Sequence, residues 1–108
     1  MIFLKKSQTV IWIPQHTKAD GPYRLTISHN LTNTEHEFDN LHNEGYRSGY
    51  WIFMNLDFRY LESGENEYKL YDKDNNMIEN GLLQVMHHLT EPISVSYEKK
   101  QNTLVYNG

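Results

Sequence analysis

A single alanine, Ala19, stands in a chain of 108 residues. Alanine is the strongest helix former, and a chain almost without it gives helices little intrinsic support. Tyr, Thr, Ile, Trp and Phe are abundant instead, and these aromatic and β-branched side chains suit a pleated, half-buried surface. Asn and Gly supply the positive backbone torsions that tight turns between strands require. The expectation is therefore an all-β fold. A length of 108 residues accommodates one core, so a single domain spanning 1–108 is expected. Leu, Ile, Val and Phe fill 26 positions and the net charge is −4, the balance of a folded domain rather than a disordered one.

Several chemistries drop out at once. There is no cysteine, which removes disulfides, thiolate zinc sites, iron–sulfur clusters and cysteine nucleophiles. The opening Met1-Ile-Phe-Leu-Lys-Lys has an apolar stretch of three residues with its lysines behind it, unlike a secretory signal. No apolar run approaches the length of a membrane-spanning helix, so no membrane partner is expected. Mild acidity without a basic cluster argues against nucleic acid.

Along the chain, Ser7–Ile13 reads as a strand that is apolar on both faces and stops at Pro14. Tyr23, Leu25 and Ile27 alternate with Arg24, Thr26 and Ser28, a half-buried strand. Residues 34–44 admit two readings. Thr34-Glu35-His36-Glu37 fits a capping box with Gly45 as the stop, but apolar residues are too sparse for a helical stripe; a strand at 35–41 is preferred to a short helix. Tyr50–Phe58 is the strongest strand, with Tyr50, Ile52, Met54, Leu56 and Phe58 on one face and Trp51 and Phe53 on the other. Further strands are expected around Tyr68–Leu70, Met77–Val85, Ile93–Tyr97 and Thr103–Tyr106. Asp74-Asn75-Asn76 would form a hairpin turn, and Asn80-Gly81 a bulge. Seven or eight short strands between turn signals give a β-sandwich or a small barrel.

Motifs for catalysis, cofactors and metals are missing. The six histidines (His16, His29, His36, His42, His87, His88) show no zincin spacing. Asp72-Lys73-Asp74-Asn75-Asn76 begins like a calcium loop, but Met77 and Leu83 occupy the positions that need Gly and Glu. There is no nucleophile elbow and no phosphate-binding glycine loop. The expectation is a non-enzyme with no catalytic residue, cofactor or metal.

The aromatics are the informative group. Trp12 and Trp51 suit the core of a sandwich. The alternative is an exposed aromatic patch that anchors a partner protein or stacks on a sugar. Trp51 and Phe53, which face away from the longer apolar series of their own strand, are the preferred anchors, with Tyr46 and Tyr60 beside them as partner-binding candidates.

Three segments carry a resemblance: Tyr50-Trp51-x-Phe53-x-x-Leu56-Asp57, then Leu61-x-x-Gly64-Glu65-x-Glu67-Tyr68-x-Leu70-Tyr71-Asp72, then Ile78-x-x-Gly81-Leu82-Leu83-Gln84-Val85. Over roughly residues 46–86, with Tyr97 and Tyr106 adding to it, the chain is similar to small β-sandwich virion proteins of crAss-like tailed bacteriophages. The turn at Gly64 also resembles the tyrosine corner of immunoglobulin-like domains; the usual tyrosine is Asn66 here, which leaves Tyr68 to serve.

The resemblance implies an immunoglobulin-like antiparallel β-sandwich of about seven to eight strands. It implies an auxiliary or decoration protein, made in the host cytoplasm and carried on the virion. Its partners would be the major capsid protein or other virion subunits, with a homo-oligomer open. The competing reading is a carbohydrate-binding module for host or mucus glycans.

Overall fold

A computed structural model describes residues 1–86 of the chain. They form seven strands: β1 (Ile2–Leu4), β2 (Ile11–Pro14), β3 (Tyr23–His29), β4 (Glu35–Leu41), β5 (Tyr50–Phe53), β6 (Gly64–Tyr71) and β7 (Met77–Val85). No helix occurs among the described residues. The strands expected at Ile93–Tyr97 and Thr103–Tyr106 lie outside them. One sheet has five strands in the order β1-β7-β6-β3-β4, and a two-stranded ribbon pairs β2 with β5. Four of the five pairings are antiparallel, but β1 runs parallel to β7, with Ile2 opposite Leu83 and Leu4 opposite Val85. The large sheet is thus mixed rather than wholly antiparallel, because the short first strand adds to the edge of β7. A run of three residues gives no alternation to read, and the sequence did not reveal β1.

The core forms between the two sheets. From the ribbon, Ile11, Ile13, Trp51 and Phe53 point inward; from the large sheet, Leu25, Ile27, Leu70 and Val85 meet them, all essentially inaccessible to water. The Tyr23 ring lies edge-on to Trp51 at 5.0 Å and tilted against Phe53 at 5.8 Å. Such aromatic pairs add about 0.5–1.5 kcal/mol beyond the area they bury.

Residues 35–41 are a strand, paired with β3 so that Phe38 stands opposite Leu25. Its apolar residues are sparse because it is an edge strand. Glu35, Glu37 and Asp39 line its exposed positions, and charges there discourage pairing with another chain. The register slips by one residue between Tyr23 and Leu25, where Asn40 takes a φ of 56°. Asn tolerates this left-handed conformation, and the extra residue makes a β-bulge.

The strand expected over 50–58 ends at Phe53. Asn55 has a φ of 61°, which breaks the alternation and shifts its phase. Trp51 and Phe53 are buried before it, Leu56 and Phe58 after it, while Tyr50 and Met54 are exposed. The continuous apolar face read from Tyr50 to Phe58 is therefore two half-faces joined by a kink.

Two further turn assignments change for steric reasons. Gly81 stays in register opposite Tyr68; the irregularity falls instead between Leu70 and Tyr71. What Gly81 provides is space: a Cβ there would lie 2.8 Å from the Tyr68 hydroxyl and 2.9 Å from its ring, and that ring is buried. The corner before β6 is closed not by Tyr68 but by Asn66. Gly64 turns the chain with a φ of 108°, and the buried Asn66 amide donates to the Glu62 carbonyl at 3.0 Å and the Gly64 carbonyl at 3.1 Å. Replacing Asn66 by alanine is expected to cost about 1–2 kcal/mol, read as a fall in the urea midpoint, because two carbonyls lose their donor.

The hairpin at 74–76 forms as read. Asn75 adopts a φ of 66°, and Asp72 Oδ1 accepts the backbone N–H groups of Asp74 and Asn76, each at 2.9 Å.

Candidate functional site

The two faces of the β2–β5 ribbon are chemically unlike most sheets, because both are apolar. The register sets Trp12 opposite Ile52 and Pro14 opposite Tyr50 on the outer face. Trp12 is 54% exposed and Tyr50 39%. Their rings meet edge-to-face, 5.4 Å apart and 60° between planes, the diagonal contact expected across an antiparallel pair. Met54 continues the surface past the end of β5. The ribbon's loop end is tied by the Gln15 N–H donating to the Gly49 carbonyl at 3.0 Å, which places the loop carrying Tyr46 and Arg47 beside Pro14 and Tyr50.

This outer face changes the identity of the partner-binding candidates. Trp51 is 1% exposed and Phe53 is fully buried, so neither presents a surface. The reason is the ribbon itself: β2 supplies Ile11 and Ile13 opposite Phe53 and Trp51, and those four seal the core. Trp12 and Tyr50 take the outward positions in their place. Tyr46 and Tyr60 are both open to solvent, but they do not join one patch. Arg47 lies over the Tyr46 ring and Arg59 over the Tyr60 ring, each at 5.3 Å, at opposite ends of the ribbon.

A buried carboxylate locks the ribbon to the large sheet. Glu79 of β7 is 7% exposed. Its Oε2 accepts the His16 N–H at 2.6 Å, the Thr17 N–H at 3.1 Å and the Trp51 indole Nε1–H at 3.0 Å. Its Oε1 lies 3.1 Å from His16 Nδ1, which carries the hydrogen in that contact because a carboxylate only accepts. Burial pushes the Glu79 carboxyl up, but the His16 backbone, the indole and the His16 ring outweigh it and hold the group below the usual glutamate value. With four hydrogen bonds accepted, the carboxylate is engaged in holding three segments together. Nothing in the sequence marks Glu79 apart from the other acids; a polar residue at an inward position of a strand is the one available sign.

Besides His16, one further histidine among the described residues serves the fold through side-chain hydrogen bonds. His29 is buried, and its Nε2–H donates to the Ser63 carbonyl at 2.9 Å while Nδ1 accepts the Thr32 N–H at 3.2 Å. That pins the β3–β4 hairpin to the corner before β6. Among the described residues no three His, Asp or Glu side chains converge as metal ligands. No helix there is long and apolar enough to cross a membrane.

At the other end of the ribbon, beyond the Leu56 N–H donating to the Thr9 carbonyl at 2.9 Å, a groove of about 300 Å³ opens between the β1–β2 turn and the segment after Asn55. Lys6, Ser7, Thr9, Leu56, Asp57 and Arg59 line it. The Arg59 guanidinium grips Asp57 through two parallel bonds, Nε to Oδ1 at 2.9 Å and Nη2 to Oδ2 at 2.8 Å. That contact holds the Asp57 carboxyl down at about 2.

Compared with known proteins, the chain matches no family model, no curated protein and no solved structure.

Proposed function

We propose that this chain is a non-enzymatic adhesion domain: an auxiliary virion protein of the crAss-like phage type, seated on the capsid shell through the outer face of its β2–β5 ribbon. The observation that carries the reading is the outward Trp12–Tyr50 pair. Trp and Tyr are the residues that dominate binding energy at protein interfaces, and the depletion of charge at an interface core matches the outer face of Trp12, Pro14, Tyr50 and Ile52. Sheet order supports an immunoglobulin-like sandwich beneath it: β1 runs parallel to β7, the β3–β4 hairpin shares their sheet, and β2 pairs with β5 in the other. A rigid body of this kind would gain avidity from a repeating lattice without any reaction.

The competing glycan reading needs a flat platform for a sugar ring. The 60° angle between the Trp12 and Tyr50 planes suits an interdigitating protein surface better. Co-sedimentation with purified capsids of the cognate phage tests the proposal. The wild-type chain is expected to pellet at micromolar concentration, and Trp12→Ala with Tyr50→Ala to weaken binding by about thirtyfold, the equivalent of roughly 2 kcal/mol for a lost anchor. Failure of the wild type to pellet, or undiminished pelleting of the double variant, rejects this surface. A glycan-array signal abolished by the same double variant would move the face to the carbohydrate class.

A further inference from the structure

The groove at the far end of the ribbon has a composition that the adhesion face does not explain. Among the described residues, the Lys6 ammonium and the hydroxyls of Ser7 and Thr9 have no hydrogen-bond partner, although all three line the same opening. Arg59 is the opposite: its backbone N–H donates to Asp57 Oδ1 at 3.1 Å and its side chain makes the paired contact with the same carboxylate. A guanidinium fixed in that way keeps Nη1 and part of Nη2 available, and little side-chain freedom is left to lose on binding. Lys6 and Arg59 against Asp57 leave one excess positive charge, on a chain whose net charge is −4. Leu56 and the Lys6 stem give the same groove an apolar wall.

We propose that this groove binds a carboxylated sugar, with the ligand carboxylate between Lys6 and Arg59, ring hydroxyls on Ser7, Thr9 and Asp57, and the C–H face of the ring against Leu56. Each part of that ligand meets a group of matching chemistry. A simple inorganic anion would leave Leu56 and the Asp57 acceptors unused. A neutral hexose would leave both cations without a counter-charge. The volume of about 300 Å³ lies at the small end of ligand pockets, the size for a single ring rather than an extended chain. The site is separate from the Trp12–Tyr50 face, so it stands whether or not that face binds capsid.

The test is a titration of the ¹⁵N-labelled full chain followed by amide chemical shifts. Sodium glucuronate is expected to shift the amides of residues 6–9 and 56–59 saturably, with glucose and inorganic sulfate each binding about tenfold more weakly or worse. Lys6→Gln and Arg59→Ala are each expected to weaken glucuronate binding by about tenfold. Among the described residues the Lys6 ammonium makes no ion pair, so its variant separates lost binding from lost folding. Absent or non-saturable shifts overturn the proposal, as does unchanged affinity in Lys6→Gln. Glucose binding as well as glucuronate, or sulfate binding as well, overturns the assignment of a carboxylated sugar. Capsid pelleting by the Lys6→Gln variant should match the wild type, which keeps the outcome for this groove distinct from that for the ribbon face.

Discussion

Replacing Glu79 by alanine should lower the unfolding free energy by about 3 kcal/mol, because it strands three donors that share one carboxylate oxygen. The Trp51 indole N–H is the costliest of them, since its ring is buried and water cannot reach it in place of Glu79. A pH dependence follows from the same contact. Folding lowers the Glu79 carboxyl below its ordinary value of 4.5, so the folded state binds the proton less tightly than the unfolded chain. The stabilisation is therefore complete above the unfolded value and is lost as the pH falls through the lower, folded one. Urea midpoints measured at about pH 7 and about pH 3 check this. The difference between wild type and Glu79→Gln should be large at the higher pH and shrink at the lower one. A constant difference would show that shape, not charge, is what the position requires.

Trp51→Ala should destabilise the protein by about 3–5 kcal/mol, whereas Trp12→Ala should change stability by less than about 1 kcal/mol. The two tryptophans stand opposite neighbouring positions of one ribbon, Trp12 against Ile52 and Trp51 against Ile13, yet they face opposite ways. Removing Trp51 opens a cavity against Tyr23 and frees the Glu79 carboxylate of its indole partner. Removing Trp12 takes away a half-exposed ring whose aromatic neighbour is Tyr50. Thermal or urea unfolding of both variants decides the matter. Equal losses would place Trp12 in the core and remove the basis for the adhesion face.

The strands that could be read from the chain are those with one wet face and one dry one. In β6, Asn66, Tyr68 and Leu70 alternate with Glu65, Glu67 and Lys69, and the structure keeps that division. In β3 the inward Tyr23, Leu25 and Ile27 follow the same alternation, although Thr26 on the other face is buried too, and the Asn75 turn follows from residue chemistry alone. The ribbon defeats this reasoning. Both faces of β2 and β5 are apolar, so alternation cannot say which side is the core; only the pairing of β2 with β5 decides, and a positive φ at Asn55 then hides the phase further along. The aromatic surface therefore lies at Trp12 and Tyr50, one position out of phase from Trp51 and Phe53. The Glu79 lock and the groove were illegible for another reason. His16 and Glu79, or Lys6 and Arg59, are far apart in the chain, and no local pattern brings them together.

The parallel seam between β1 and β7 orders events during synthesis. Ile2 precedes its partner Leu83 by most of the described segment, so it leaves the ribosome long before the residue it pairs with. Until then the exposed Phe3 and the destined-for-burial Leu4 lack the strand they dock on, and among the described pairings those of β7 close last. Such distant closure slows folding and ties this seam to the arrival of β7. A nascent chain paused before Leu83 should therefore leave its first few residues open to protease, long after the β3–β4 hairpin has formed.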